Sequence, residues 1–102
     1  MDYVALLSFR ESATAAERDA ALMRRASWQY PSGIELIAEY WPISGSVEVV
    51  SIISTDDFGA VMQMVFEWND VFHIDVSPAV SAEEGLKIGA EVMGKVARLQ
   101  PQ

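Results

Sequence analysis

His73, the only histidine of the chain, stands two residues before Asp75 in a segment that reads as a β-strand. Alternate residues of a strand point to the same face, so the two side chains lie about 7 Å apart along it. The imidazole can exchange a proton near neutral pH and the carboxylate can orient it, so His73 and Asp75 are candidate catalytic residues for general base chemistry. The alternative is a polar pair at a sheet edge, where charges discourage pairing with a further strand. Polar pairs of this kind are common and catalytic ones are few, which favours the second interpretation.

The same pair could hold a cation together with the carboxylates of Glu35, Glu39 and Glu48. Histidine and carboxylate ligands suit a hard or borderline metal ion. The strands that carry these residues are predicted at opposite edges of the sheet, about three strand spacings of 4.8 Å apart, and only a dimer could bring them together. We therefore predict no metal site, and no cofactor.

Three aromatic residues, Tyr3, Trp41 and Trp68, are candidates for binding a ligand. Aromatic side chains line many pockets for apolar small molecules. The alternative is packing in the core or at an interface, where aromatic residues are also frequent.

Charge and composition exclude several classes of protein. The net charge of −8 argues against a nucleic acid partner, because phosphate binding depends on clustered basic residues. The closest basic grouping, Arg24–Arg25, is predicted on the outside of the last turn of a helix, where it complements the helix dipole. The chain has no cysteine, which excludes disulfides and thiolate chemistry and favours a cytoplasmic protein. No run of about 18 uncharged apolar residues is present, so we expect neither a membrane span nor a membrane partner.

The periodicity of apolar residues predicts four strands and three helices. The strands are predicted at 2–9, 34–41, 47–54 and 71–77, the last closed by Pro78. Thr14 with Glu17, and Ser81 with Glu84, form capping-box patterns that begin the first and third helices, with Ser12 as a competing start of the first. Thr55 or Asp56 is expected to cap the second helix. The order βαββαβ with an added C-terminal helix predicts one α+β domain over 1–102, with a ferredoxin-like four-stranded antiparallel sheet.

In this fold the helices cover one face of the sheet and leave the other open. The alternation predicts that the residues facing the helices are Ile34, Leu36, Ala38, Tyr40, Phe72, Ile74 and Val76. The residues expected on the open face are Tyr3, Leu7, Glu35, Ile37, Glu39, Trp41, Val71, His73 and Asp75. That face is too apolar for water alone, so we expect a two-fold homodimer in which identical faces cover each other.

The segment from 33 to 85 resembles a small prokaryotic family that is classed as a domain of unknown function. The resemblance lies in Trp68 and Asp70 at the end of the second helix, Pro78 at the end of a strand, and Glu83–Glu84 at a helix start. Trp41 and Gly45 match the hairpin of that family. More broadly, the chain is similar to dimeric α/β barrel proteins. These include cofactor-independent monooxygenases, lactone isomerases, haem-degrading enzymes and ligand-sensing domains, and the resemblance implies a ligand cavity beside the sheet.

Three functions remain open from the sequence. The first is a homodimeric domain that binds or senses a small molecule, with Tyr3, Trp41 and Trp68 at the ligand. The second is a cofactor-independent isomerase or monooxygenase in which His73 is the base and Asp75 orients it. The third is a structural assembly domain whose third helix is a docking surface. Fold alone does not decide among them.

Overall fold

The computed structural model describes residues 1–43 and 45–99. The elements are β1 (Asp2–Phe9), α1 (Ala15–Ser27), β2 (Glu35–Tyr40), β3 (Val49–Ser54), α2 (Phe58–Trp68), β4 (Phe72–Ala79) and α3 (Ala82–Leu99). The predicted order is confirmed. Ser44 of the predicted hairpin loop, and positions 100–102 of the predicted domain, lie outside the described residues.

The four strands form one sheet in the order β2-β3-β1-β4, and each neighbouring pair is antiparallel. Two crossover connections, through α1 and α2, produce this order because each returns the chain to a strand that is not its neighbour. The result is the predicted α+β, ferredoxin-like arrangement. Its core lies between the sheet and the two helices, and contains Ala5, Leu7, Ala21, Val49, Ile53, Met64, Trp68, Val71 and Phe72.

The side chains of the central strand β1 that face the core are the set that was predicted for the open face. Leu7, which was expected on the open face, is 3% exposed in the core, and Tyr3 packs against the same core. Val71 was also expected on the open face and is buried. Both faces of β1 are apolar, so its alternation does not distinguish the two orientations, and packing against α1 and α2 decides between them.

A β-bulge reverses the second half of β2. Leu36 lies opposite Ile53, whereas Ala38 lies opposite Ile52, and the register shifts between them. An extra residue in one strand moves every later side chain to the other face. Ala38 and Tyr40 therefore lie on the open face, and Glu39, opposite the buried Ser51, faces the helices. The predicted faces of these three β2 residues are wrong for this reason.

Local capping rules determine where the helices begin. The Thr14–Glu17 capping box is present at α1, as predicted. The N-cap of α2 is Asp57, one residue later than expected, and its Oδ1 accepts the Ala60 N–H at 3.2 Å. Thr55 instead accepts the Asp57 N–H at 3.0 Å. Ser81 Oγ accepts the Glu84 N–H at 3.1 Å and begins α3.

β4 extends beyond its predicted end at Pro78. The strand includes this proline and continues to Ala79. Because β4 is an edge strand, a residue without an N–H group can be accommodated in it.

Helix α3 projects from the rest of the chain. None of its residues is buried, and the chain measures 62 × 30 × 20 Å along its principal axes. The radius of gyration is 17.5 Å, compared with about 13 Å for a compact domain of this length. Over the two described ranges, no helix is long and apolar enough to cross a lipid bilayer.

Candidate functional site

A buried ion pair joins α1 to β2. The guanidinium of Arg25 donates to Glu39 through Nη2 at 2.8 Å and through Nε at 3.2 Å. The two side chains are 2% and 17% exposed. Arg25 was expected on the outside of α1, so its predicted position is wrong. Burial of a charged residue is costly unless a partner compensates it, and the bulge in β2 places that partner beneath α1.

Three other side chains complete this polar cluster. The Tyr30 hydroxyl donates to Glu39 and lies 2.8 Å from Ser51 Oγ. Trp41 Nε1 donates to Glu39 Oε2 at 2.7 Å. The Glu39 carboxylate therefore accepts hydrogen bonds from α1, from the segment after it and from the end of β2. Tyr30 and Ser51 were not predicted for this cluster; a serine at a buried position of the apolar strand β3 was the available signal.

The electrostatics of the cluster fix its protonation at neutral pH. Burial opposes ionisation of Glu39, but hydrogen bonds from Arg25, Tyr30 and Trp41 outweigh it and lower the pKa of this carboxyl. Burial and the hydrogen bond to Glu39 raise the pKa of Tyr30 to about 12. The carboxylate thus remains charged and the phenol remains protonated. This combination of protonation states suits a structural ion pair more than a site that exchanges protons.

Aromatic rings surround the Arg25 guanidinium. Its carbon lies 4.8 Å from the Trp28 ring centroid, 5.0 Å from that of Trp68 and 5.6 Å from that of Tyr30. These are cation–π distances, and they reduce the cost of burying the charge. Three buried N–H groups, Arg25 Nη1, Trp28 Nε1 and Trp68 Nε1, have no hydrogen-bond partner among the described residues.

An apolar groove lies between α2 and the strands β1 and β4, on the face of the sheet that the helices cover. Its volume is about 390 Å³. The residues that line it are Tyr3, Phe58, Val61, Met62, Val65, Phe66, Ile74, Val76 and Pro78. None of these is charged, and Tyr3 provides the sole hydroxyl. The volume falls within the range of small-molecule sites, about 300–1,000 Å³.

The exposed wall of this groove comes from one ridge of α2. Phe58, Met62 and Phe66 recur at every fourth position and are all exposed, whereas Val61, Met64 and Trp68 of the same helix are buried. Two large aromatic rings on the surface of a helix are unusual without an occupant or a partner. The groove is therefore the part of the described chain best suited to an apolar ligand.

A second, more polar depression lies beside α1. It has a volume of about 290 Å³ and is lined by Glu17, Ala20, Ala21, Arg24, Asp70 and Val71. Arg24 and Asp70 form a bidentate ion pair across it, with distances of 3.1 and 3.2 Å. The hydrogen bond from Arg24 lowers the pKa of Asp70. Since these charges already satisfy each other, this depression offers less to a ligand than the apolar groove.

His73 and Asp75 lie on the open face at the β4 edge, as the alternation predicted. The His73 Nε2–Asp75 Oδ1 distance is 3.7 Å, and the side chains are 67% and 70% exposed. No element of the described chain encloses them. Their catalytic role stays a prediction, and within one chain both side chains are open to solvent.

The three aromatic candidates occupy three different places. Tyr3 lines the groove, Trp41 bonds to Glu39 at the end of β2, and Trp68 is buried in the core. Within residues 1–43 and 45–99, no three acidic or histidine side chains lie close enough to share a metal ion.

Comparison with known families identifies a domain family that the chain matches. The model of a domain of unknown function, DUF3303, matches residues 1–93. The chain belongs to the DUF3303 family. The match begins well before the segment from 33 to 85 that carried the resemblance. No curated protein is similar to the chain in sequence.

The structure explains two of the residues that carry the resemblance to a family of unknown function. Trp68 is 1% exposed, and the Arg24 guanidinium lies 4.1 Å from its ring centroid. Asp70 binds the same guanidinium. Together they fasten the end of α2 to α1, so this motif has a structural role and does not identify a ligand.

Proposed function

We propose that this DUF3303 protein is a homodimeric domain that binds a small apolar molecule in the groove between α2 and the sheet. The observation that carries the proposal is the uncharged lining of the groove, with its exposed aromatic ridge and single hydroxyl. Burial of apolar ligand surface would supply the affinity, at roughly 25 cal/mol per Å². The Tyr3 hydroxyl would supply the orientation, by donating to one acceptor atom of the ligand.

The lining also restricts the chemistry of the ligand. No basic side chain lines the groove, and the chain carries a net charge of −8, so a ligand with a carboxylate would be disfavoured. We therefore propose a neutral molecule with one or two rings and a carbonyl group, such as an aromatic lactone.

The homodimer is supported by the pattern of the open face. Val4, Leu6, Val50 and Ile52 form an apolar centre on the two middle strands. Glu35, His73 and Asp75 lie toward the edges. An apolar centre with a polar rim is the usual arrangement of a protein interface, and a two-fold axis allows one such face to cover its copy.

The ligand proposal can be tested by thermal unfolding with coumarin, a neutral aromatic lactone, and with decanoate as an anionic apolar probe. Coumarin should raise the unfolding midpoint with increasing concentration, and decanoate should raise it less. Met62→Trp should fill the groove and abolish the shift. Met23→Trp is the matched control, because Met23 is exposed on α1 and does not line the groove. An equal shift in both variants, or no shift in the wild type, would contradict the proposal.

The dimer is tested separately by sedimentation equilibrium. Leu6→Lys places a charge at the centre of the open face and should lower the measured mass relative to that of the wild type. Ser77→Lys, on the exposed rim of the same face, is the control and should leave the mass unchanged. A wild-type chain that sediments as a monomer at high concentration would refute this part.

A further inference from the structure

Helix α3 has an apolar face that the described chain does not cover. Val92, Val96 and Leu99 are 49%, 47% and 84% exposed, although they follow one another along one side of the helix. The charged residues Glu83, Glu84, Lys87, Glu91, Lys95 and Arg98 lie on the other side. A strongly amphipathic helix in water normally packs its apolar side against another surface.

The apolar side has the spacing of a helix pair. Ala82, Gly85, Gly89, Val92, Val96 and Leu99 follow one another at alternating steps of three and four residues. This is the spacing at which one helix packs along another through a continuous seam. Leu86 and Met93 widen the seam on one flank, and both are exposed.

The glycine in the middle of the seam is not required by the contacts of the chain itself. A Cβ atom at Gly89 would meet nothing within 4 Å. Glycine lowers the stability of a helix interior relative to alanine, so its presence at an uncrowded position calls for another cause. Close approach of a second helix is such a cause.

We infer that α3 pairs with α3 of a second copy of this chain, antiparallel and over its full length. In that alignment the small residues Ala82, Gly85 and Gly89 face the larger Leu99, Val96 and Val92 of the other copy. A parallel alignment would place glycine against glycine at one end and leave a gap there. The antiparallel pair is therefore self-complementary in size, as a two-fold contact requires.

Charge complementarity supports the same alignment. Glu83 and Glu84 are in the first turn of α3, while Lys95 and Arg98 are near its end. These charges lie away from the seam and act at longer range: antiparallel pairing places the acidic end of each helix level with the basic end of the other, whereas parallel pairing would place like charges level with each other. In addition, α3 has three acidic and three basic residues, whereas the rest of the chain carries the whole net charge of −8. Two copies meet through α3 with the least repulsion.

This contact does not rest on the proposed function. It uses neither the groove nor the open face of the sheet. The sequence predicted the third helix as a docking surface, and the partner proposed for that surface is a second copy of the chain. Because either contact alone can hold two copies together, the α3 variants are measured both in the wild-type chain and in a chain that also carries Leu6→Lys, where only the helix contact remains, so the two contacts can fail separately.

A glycine pair within α3 provides a matched test. Gly89→Leu adds a side chain to the seam, whereas Gly94→Leu adds the same side chain to the charged side of the same helix. Both should increase helix content equally, as measured by circular dichroism. Analytical ultracentrifugation should show association weakened at least tenfold by Gly89→Leu and unchanged by Gly94→Leu. Equal effects of the two substitutions on association would overturn the proposal.

Charge exchange tests the direction of pairing. The chain with Glu83→Lys and Glu84→Lys, and the chain with Lys95→Glu and Arg98→Glu, should each associate more weakly alone. An equal mixture should regain wild-type association, because each basic end then meets an acidic one. The first chain has a net charge of about −4 and the second about −12, from −8 in the wild type. If only overall repulsion mattered, the first would associate more strongly than the wild type, and that result would refute the inference.

Because the chain has no cysteine, disulfide trapping gives a third readout. A mixture of Gly85→Cys and Val96→Cys chains should cross-link under mild oxidation. Neither variant should cross-link efficiently with itself, because the two positions are about 16 Å apart along a helix. Efficient self-cross-linking of each variant would indicate parallel pairing, and no cross-link in the mixture would indicate that α3 does not pair. Either result would contradict the proposal.

Discussion

Two pairs of a basic and an acidic side chain in this protein differ in almost every physical respect. The Arg25–Glu39 pair is buried, bidentate and 2.8 Å long, and aromatic rings surround it. The His73–Asp75 pair is 3.7 Å apart on the exposed edge strand, where water and salt screen it. The sequence pattern indicates the second pair as a candidate site, whereas the first joins α1 to β2 in the folded chain. Residue types alone do not determine how much an ion pair contributes to stability, because this also depends on burial and on additional hydrogen bonds.

The largest effect is expected from removing one member of the buried pair. Arg25→Ala leaves the Glu39 carboxylate desolvated without its cation, and should lower the free energy of unfolding by about 3–5 kcal/mol. Urea denaturation monitored by tryptophan fluorescence measures this. Arg25→Met combined with Glu39→Met should be less destabilising than Arg25→Ala, because it leaves no buried charge. A double variant as unstable as the single one would show that the pair itself contributes the stability.

Acid unfolding should identify Glu39 as a titrating group. The pKa of Glu39 is lower in the folded chain than its usual value of 4.5, so the unfolded state binds more protons near that pH. The resulting stability is present above pH 4.5 and is lost as the pH falls through the folded pKa. Glu39→Gln should cost about 2–3 kcal/mol at pH 7, as expected for a hydrogen-bonded charged group. The difference from the wild type should shrink in denaturation measured at decreasing pH, and a constant difference from pH 7 to 3 would contradict this assignment.

A smaller effect is expected from the Tyr30 hydroxyl. Tyr30→Phe removes the bonds of its hydroxyl to Glu39, Arg25 and Ser51 but leaves the Arg25–Glu39 ion pair, and should lower the stability by about 1–2 kcal/mol. The pKa of Tyr30 is raised from 10.0 to about 12, so its contribution is complete below pH 10 and is lost as the pH rises toward 12. The variant should lack this alkaline loss. Tyr40→Phe, on the exposed open face, is the control and should not change the alkaline limb.

The smallest effect is expected at the exposed pair. His73→Ala and Asp75→Ala should each change the free energy of unfolding by less than about 0.5 kcal/mol, since exposed ion pairs contribute little. In denaturation at 0.05 M salt, the difference in stability between each variant and the wild type should be small, and at 0.5 M salt it should be the same or smaller. A loss above about 2 kcal/mol would mean that this pair is buried in the assembled protein, and would reopen its predicted catalytic role.

The comparison also shows which parts of the candidate site were predictable. The position of His73 and Asp75 on the open face of the sheet could be predicted from the strict alternation of residues in β4. The position of Glu39 did not, because the bulge between Leu36 and Ala38 has no clear signal in the sequence. The buried role of Arg25 also depends on that bulge, since without it the carboxylate would point away from α1.

The sequence by itself determined the order and type of the elements and the capping box of α1, because these depend on interactions between residues close along the chain. It also determined the separation of apolar and charged sides in α3, which is a property of helical spacing. Only the tertiary structure decided which face of β1 enters the core, where Glu39 points, and that α2 leaves an apolar groove beside β4. Those outcomes depend on strand register and on packing between distant segments, and a shift of one residue reverses them.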